Sequence, residues 1–566
     1  MADFTRASLL ALLEASRDCV NFVDVIRLPC SLLDELLTYD TVCVQINPHT
    51  KSYANLDHLY RRIIAMTSSE AVTPPQSRST APGTYDVLII GAGISGIGAS
   101  IKLIESGNRD FVVLEKASDL GGTWRDNTYP GCECDVPSAL YSFSFAQNPS
   151  WSRTFAGQAE ILSYVRHTAE HYGVLPFIRF EAPVEHSRWL EERCQWEVKT
   201  AEGIYYANKL ISCVGYLHEP IIPDLPGLRE FTGVWFHSSR WNHETDLTGK
   251  RVAVIGTGAS AIQFVPEIQP LTRELVLYQR TPQWVLPKPN RTTAELEKRM
   301  YQWPFTLNGV RQTLYSAFEL LGVGFRYPAI LKQAQRIAKA HIGYYIKDET
   351  LRRKLTPDYT MGCKRVLMSN DYYPALAKRN VDVLATGVKE IRGNVVVGSD
   401  GSEREVDVII LATGFHVTDV PIAAQVTGAD GQTLAEKWQG SPEAYKGTTV
   451  SGFPNFFLML GPNLGIGHNS AYIVIESQIQ YIMDTLKNMR RQNITRLDVR
   501  PEVQSRYNAI VQKELQTTVW NTGGCSSYYL DASGKNAVGF PWHTMKMRSL
   551  LSRWDKHAYT FQLRGN

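Results

Sequence analysis

The chain has 566 residues, more than one hydrophobic core can serve, so about three or four domains are expected. It is 44% hydrophobic and 20% charged, an ordinary soluble globular composition. A net charge of +3 gives no reason to expect nucleic acid or an anionic membrane as partner. The nine cysteines are scattered and odd in number, which argues against a disulfide framework and for a reducing, cytoplasmic location. No CxxC occurs, which weighs against a dithiol reductase.

The chain opens without a signal-peptide pattern: Glu14 stands close behind Leu9, Leu10, Leu12 and Leu13. Apolar positions recur at helical spacing there and in Leu32–Leu37, so residues 1–83 are expected to form a helical extension and linker. The linker is the Ser/Thr/Pro-rich stretch Thr67 to Gly83. The extension carries no chemical motif; packing or homodimer contact is its default use.

Tyr85-Asp-Val-Leu-Ile-Ile90 reads as a strand that runs into Gly91-Ala-Gly93-Ile-Ser-Gly96 and then a helix. Gly91 permits the tight turn, Gly93 lets backbone approach a diphosphate, and Gly96 lets helix pack on strand. The helix N-terminus offers free N–H groups to that anion. The next strand, Phe111 to Glu115, ends in an acid placed to accept a ribose hydroxyl. The first turn therefore suits FAD, and 84–219 is read as the first part of its domain.

A second turn, Gly256-Thr-Gly258-Ala-Ser-Ala261, follows the strand Arg251–Ile255; Ala261 replaces the third glycine. The next strand, Glu274–Tyr278, is followed by Gln279-Arg280-Thr281 and carries no terminal acid. An acid would repel a 2′-phosphate, whereas Arg280 can grip one with two parallel hydrogen bonds. This site suits NADPH over NADH, and 220–283 is read as the first part of its domain. A helical pattern runs from Ala294 to about Ala340, giving a helical insert over 284–354. Arg326 and Pro328 interrupt its apolar run Leu320–Phe325 well short of a membrane span, and a buried face is expected. The NADPH domain returns over 355–411, and the FAD domain over 412–566 with a C-terminal lid. Gly461-Pro-Asn463 should mark the last flavin contact. Cys132 and Cys134 form only a CxC without a second ligand pair, so they are read as packing residues and no metal is expected. The fold class is α/β: two Rossmann-like dinucleotide-binding domains, a helical insert and a helical N-terminal extension.

Between the two turns lies Phe231-Thr-Gly233-Val-Trp-Phe-His237-Ser-Ser-Arg-Trp241, and after the first lies Gly121-Gly-Thr123-Trp124 leading to Tyr129-Pro-Gly131 and Asp135. With these motifs the chain resembles the type I Baeyer–Villiger monooxygenases from about Tyr85 onward. The resemblance implies a flavoprotein that inserts one atom of O2 beside a ketone carbonyl, giving an ester or lactone by way of a C4a-peroxyflavin. It places Thr123 and Trp124 at the flavin. Cys363-Lys364-Arg365, followed by Asn370-Asp-Tyr-Tyr373, matches the family's essential Lys-Arg context. Arg365 is thereby the catalytic cation, Asp135 holds it, and Lys364 joins Arg280 at the 2′-phosphate. Arginine suits the task because it stays protonated when desolvated.

His237 is read as an interdomain coupling residue, with Phe231 and Trp241 as packing anchors. Asn242 stands where the family normally has Pro or Asp. Ser526-Ser-Tyr528 to Asn536 is similar to an element of hydroxyacetophenone-type members, with Tyr528 in place of tryptophan. Heteroatom oxygenation on the same scaffold and a non-catalytic flavin-binding subunit are the alternatives. The ketone stays open, from a small cyclic compound to a bulky terpenoid or polyketide.

Overall fold

The computed structural model describes residues 80–564. The expected N-terminal helices lie outside the described residues.

Two sheets organise the chain. In the first, Thr84–Ile90 lies between Phe111–Leu114 and Gly203–Ser212, parallel to both. Gly203–Ser212 is shared: its first half pairs antiparallel with Gln195–Thr200, and Leu210–Ser212 takes Phe456–Leu458 in parallel. The second sheet has five strands, all parallel, in the order Val381–Leu384, Glu274–Tyr278, Arg251–Ile255, Val408–Leu411, Val234–His237. Segments such as Phe111-Val-Val-Leu114 and Val408-Ile-Ile-Leu411 are buried at every position, because both faces of each sheet are covered, by helices on one side and largely by further strands on the other. Two Rossmann-like units result.

Four helices follow the second unit's first part: Glu295–Tyr301, Pro304–Arg326, Pro328–Tyr345 and Glu349–Leu355. They run past the Ala340 limit read from the sequence. The two long helices break at Tyr327, since Pro328 disfavours helical backbone at the residue before it. The expected buried face holds only in part. Phe325, Leu331 and Ala338 pack with Met361, Cys363 and Trp520, but Leu320 and Leu321 are 75% and 63% exposed. Among the described residues no helix is long and apolar enough to cross a membrane.

Among the described residues one cysteine pair is joined and four cysteines are free, short of a disulfide framework. Cys363 and Cys525 form a disulfide, with sulfurs 2.09 Å apart. Their separation of 162 residues hides the pair from any spacing argument. They meet because the chain around Cys525 packs over the Cys363 loop.

Candidate active site and cofactor sites

At the first turn, Gly91 has φ +100°, and a Cβ there would stand 2.9 Å from the Cys213 carbonyl oxygen. A Cβ at Gly96 would lie 1.9 Å from the Gly91 oxygen, so only glycine lets the helix approach. Around Gly93 nothing lies nearer than Gly122 Cα at 3.8 Å, which leaves an open cradle. Gly93 starts the helix Ile94–Glu105 with no side-chain cap and no acid in the first turn. Its N–H groups and dipole are thus free for an anion.

The cradle opens on a cavity of about 380 Å³ walled by Gly91, Gly93, Glu115, Thr123 and Trp124, a volume within the range of cofactor pockets. Glu115 is buried and braced: its carboxylate accepts from Ala92 N–H at 2.7 Å, Ala117 N–H at 3.1 Å and Arg125 at 3.0 Å. Trp124 donates its indole N–H to Tyr141 Oη at 3.0 Å, and Thr123 sits exposed at the start of the short helix Thr123–Asp126. Asn463 departs from its expected place. Its Nδ2 donates to the Asn536 and Gly539 carbonyls, at 2.8 and 3.1 Å, so it anchors the C-terminal segment. Leu460 lines that same cavity, and Gly461 and Pro462 line the apolar cavity beside it.

The second turn repeats the plan. Gly256 has φ +108°, with the Ala412 carbonyl oxygen 2.3 Å from a built Cβ, and Gly258 has nothing within 4 Å. Ala261 is fully buried in the first turn of the helix Ala259–Ile268, which also begins with no acid in that turn. Thr281 offers its carbonyl to Thr257 Oγ1 at 3.3 Å. Burial, then the positive charge of exposed Arg280, pushes the Lys364 ammonium below its ordinary pKa, with Asp358 opposing. Two cations that disfavour each other make a ready site for a phosphate dianion.

His237 ends its strand beside Leu411, at the C-terminal edge where α/β sheets bind ligands. Ser239 N–H donates to Nδ1 at 3.1 Å, which puts the neutral ring's proton on Nε2. That Nε2 is buried and faces the Gly414 backbone, whose interaction partly offsets the cost of burying the charged ring. Desolvation lowers the ring's pKa to about 4, so it is neutral at pH 7. Phe231 is buried, and Trp241 packs against Phe236 and Phe264 with ring centroids 5.1 and 5.2 Å apart.

Arg365 and Asp135 meet across 230 residues of sequence. Arg365 Nε donates to Oδ2 and Nη2 to Oδ1, both at 2.8 Å, a two-point contact that fixes the guanidinium plane. The arginine keeps 33% of its side chain accessible although protein surrounds it, so it faces an internal cleft. Asp135 outweighs burial and holds the guanidinium well above its ordinary pKa. Tyr528 and Tyr529, stacked with centroids 4.5 Å apart, complete its electrostatic surroundings.

The flavin-binding monooxygenase-like family model matches residues 84–425. The chain is 50% identical over 479 residues to a Baeyer–Villiger monooxygenase of Streptomyces coelicolor, covering 84% of this chain and 92% of that protein. The chain belongs to the Baeyer–Villiger monooxygenases. A second relative of that name, from Pseudomonas aeruginosa, is 47% identical over 504 residues, covering 88% of this chain and 94% of its own. Cyclohexanone monooxygenase from Rhodococcus sp. Phi1, solved with NADP+, superposes with a TM-score of 0.76 at 27% identity, covering 86% of this chain and all of that one. This Baeyer–Villiger monooxygenase is an FAD- and NADPH-dependent enzyme, and the two glycine cradles fit those cofactors.

Sequence reasoning missed two features of the site. One is the Cys363–Cys525 bridge. The other is Lys288, a buried cation in Gln283-Trp-Val-Leu-Pro-Lys-Pro-Asn290, where no periodicity marks it. Cys132 and Cys134 behave as packing residues: burial raises both thiols, Cys132 to about 11.

Proposed function

We propose that Arg365 is the catalytic cation of this monooxygenase and that Asp135 positions it. The overall conversion is ketone + O2 + NADPH + H+ to ester or lactone + NADP+ + H2O. Bound FAD, reduced by NADPH, supplies the oxygen activation. The two-point Asp135–Arg365 pair carries the reading, because oxygen insertion develops negative charge at the attacking oxygen and at the ketone oxygen. A preorganised guanidinium in a secluded cleft stabilises that charge without reorganising.

Around this centre, the glycine cradles hold the two diphosphates, and Glu115 orients the ribose beside the first. Arg280 and Lys364 select the 2′-phosphate. His237 couples NADPH binding to closure through its neutral ring. The domains divide as 84–219 and 412–566 for FAD, and 220–283 and 355–411 for NADPH, around the insert 284–354. A homodimer through residues 1–83 and a cytoplasmic location complete the reading; light scattering of the full chain, and of one lacking residues 1–79, tests the dimer.

Arg365→Ala tests the central claim. The variant binds FAD and accepts hydride, yet ester yield per NADPH collapses and hydrogen peroxide replaces it. Wild-type ester yield in that variant would instead remove Arg365 from the oxygen-insertion step.

A further inference from the structure

Lys288 has only 4% of its side chain accessible, and nothing in the cofactor sites explains a buried ammonium there. Burying a charge is costly unless its donors are all engaged. Here they are. Nζ donates to Glu133 Oε1 at 2.6 Å and to the Cys134 carbonyl at 2.9 Å, and it lies 5.0 Å from the centroid of the Phe155 ring.

The Cys134 carbonyl belongs to the peptide that leads into Asp135. Lys288 therefore grips the peptide plane from which the Arg365-binding carboxylate projects. Its own backbone is held as firmly: Asn370 Oδ1 accepts its N–H at 2.9 Å, and Asn370 Nδ2 donates to its carbonyl at 2.7 Å. Between them runs a two-stranded parallel ribbon in which Val285–Leu286 pairs with Leu367–Met368. Arg365 stands just before one strand and Lys288 just after the other. Two cations on one ribbon thus fasten the same three-residue segment, Glu133 to Asp135. Asn290 and Gln263 steady it further, donating to Glu133 Oε2 at 3.0 Å and to the Glu133 carbonyl at 2.8 Å.

We propose that Lys288 is a positioning residue for oxygen insertion: by fixing the Cys134–Asp135 peptide it sets the direction of the Arg365 guanidinium. The proposal rests on the role of Arg365 given above. It makes the Lys288–Glu133 pair a determinant of coupling, the fraction of NADPH that ends in ester.

The test uses Lys288→Met, which keeps chain length but removes charge and donors, and Lys288→Met/Glu133→Met, which leaves no orphaned carboxylate if the single variant folds poorly. Hydrogen exchange of the FAD-loaded protein, without ketone, is followed over 130–137 and 361–368, alongside ester formed per NADPH. Exchange in both segments rises, hydride transfer stays within about twofold, and ester yield falls about tenfold, since small misplacements of a catalytic group are costly. In an Asp135→Ala background, Lys288→Met produces no further loss of yield, because the lysine acts through that carboxylate. Additive losses in the double variant, or unchanged exchange over 361–368, overturn the proposal. If Arg365→Ala itself keeps full ester yield, the underlying reading fails instead, so the two failures are distinguishable.

Discussion

Cys363 is bonded to Cys525, which ties the residue before Lys364 to the residue before the Ser526–Asn536 segment. Both segments border Arg365, through the peptide chain on one side and Tyr528 and Tyr529 on the other. The bridge therefore fastens a long C-terminal stretch to the loop that carries the proposed cation. Cys525→Ser should lower stability by about 2–4 kcal/mol, the usual worth of a long-loop disulfide. Denaturant melts of oxidised and reduced wild-type protein should show the same difference, and peptide mapping without reductant should recover the linked pair. Superimposable melts would show that the bridge does not hold the segment.

Coenzyme choice should rest on Arg280. Replacing it by Ala removes one charge-assisted contact to a 2′-phosphate, worth about 1.5–3 kcal/mol. KM for NADPH should rise by roughly ten- to a hundredfold, while KM for NADH changes little. Lys364→Met should act in the same direction, because it removes the second cation beside Arg280. Equal losses with both coenzymes would remove Arg280 from the phosphate site.

His237 should couple the domains without holding the flavin. His237→Ala should retain FAD through gel filtration yet turn over slowly with NADPH; recovery as apoprotein would place the residue at the flavin instead. The ring also makes a pH prediction. Its folded pKa, about 4, lies below the 6.5 of a free imidazole, so the unfolded chain takes up a proton first as acid is added. Its contribution is full above pH 6.5 and is lost progressively as pH falls toward 4. The melting temperature of His237→Gln should consequently fall less steeply across that window.

Glu319 should lock the helical insert onto the FAD unit. Its carboxylate accepts from His468 Nε2 at 3.1 Å, Asn469 Nδ2 at 2.9 Å, and Thr544 N–H at 2.9 Å and Oγ1 at 2.5 Å. Burial raises the carboxyl, but these donors together, with the His468 charge, pull it down to about 2. A depressed carboxylate stabilises above its unfolded pKa, near 4.5, and loses that contribution as pH falls toward 2. Glu319→Ala, which leaves the donors unpaired, should cost about 3 kcal/mol. Limited proteolysis of residues 304–345, rising in the variant and in acid, would report the undocking; unchanged cleavage would place the anchor elsewhere.

The amino-acid sequence alone determined the two strand–turn–helix units. Each needs glycine at φ near +100° where a carbonyl from the next parallel strand closes in, and no other residue meets that demand cheaply. It also determined coenzyme chemistry as far as charge can: an acid after the second strand of one unit, an arginine after that of the other. The Lys364–Arg365 pair was legible only through its family context, because a lysine–arginine dipeptide has no periodicity or geometry of its own. The same context named Asp135 as its partner, and the tertiary structure supplied the contact itself, a two-point pair between residues 230 apart in the chain. Tertiary structure alone decided that Cys363 meets Cys525, that Asn463 turns toward the C-terminal segment, and that Lys288 is buried at all. Each depends on contacts between segments far apart in the chain, where local pattern carries no information. Periodicity reports which face of an element is apolar; only packing reports what that face meets.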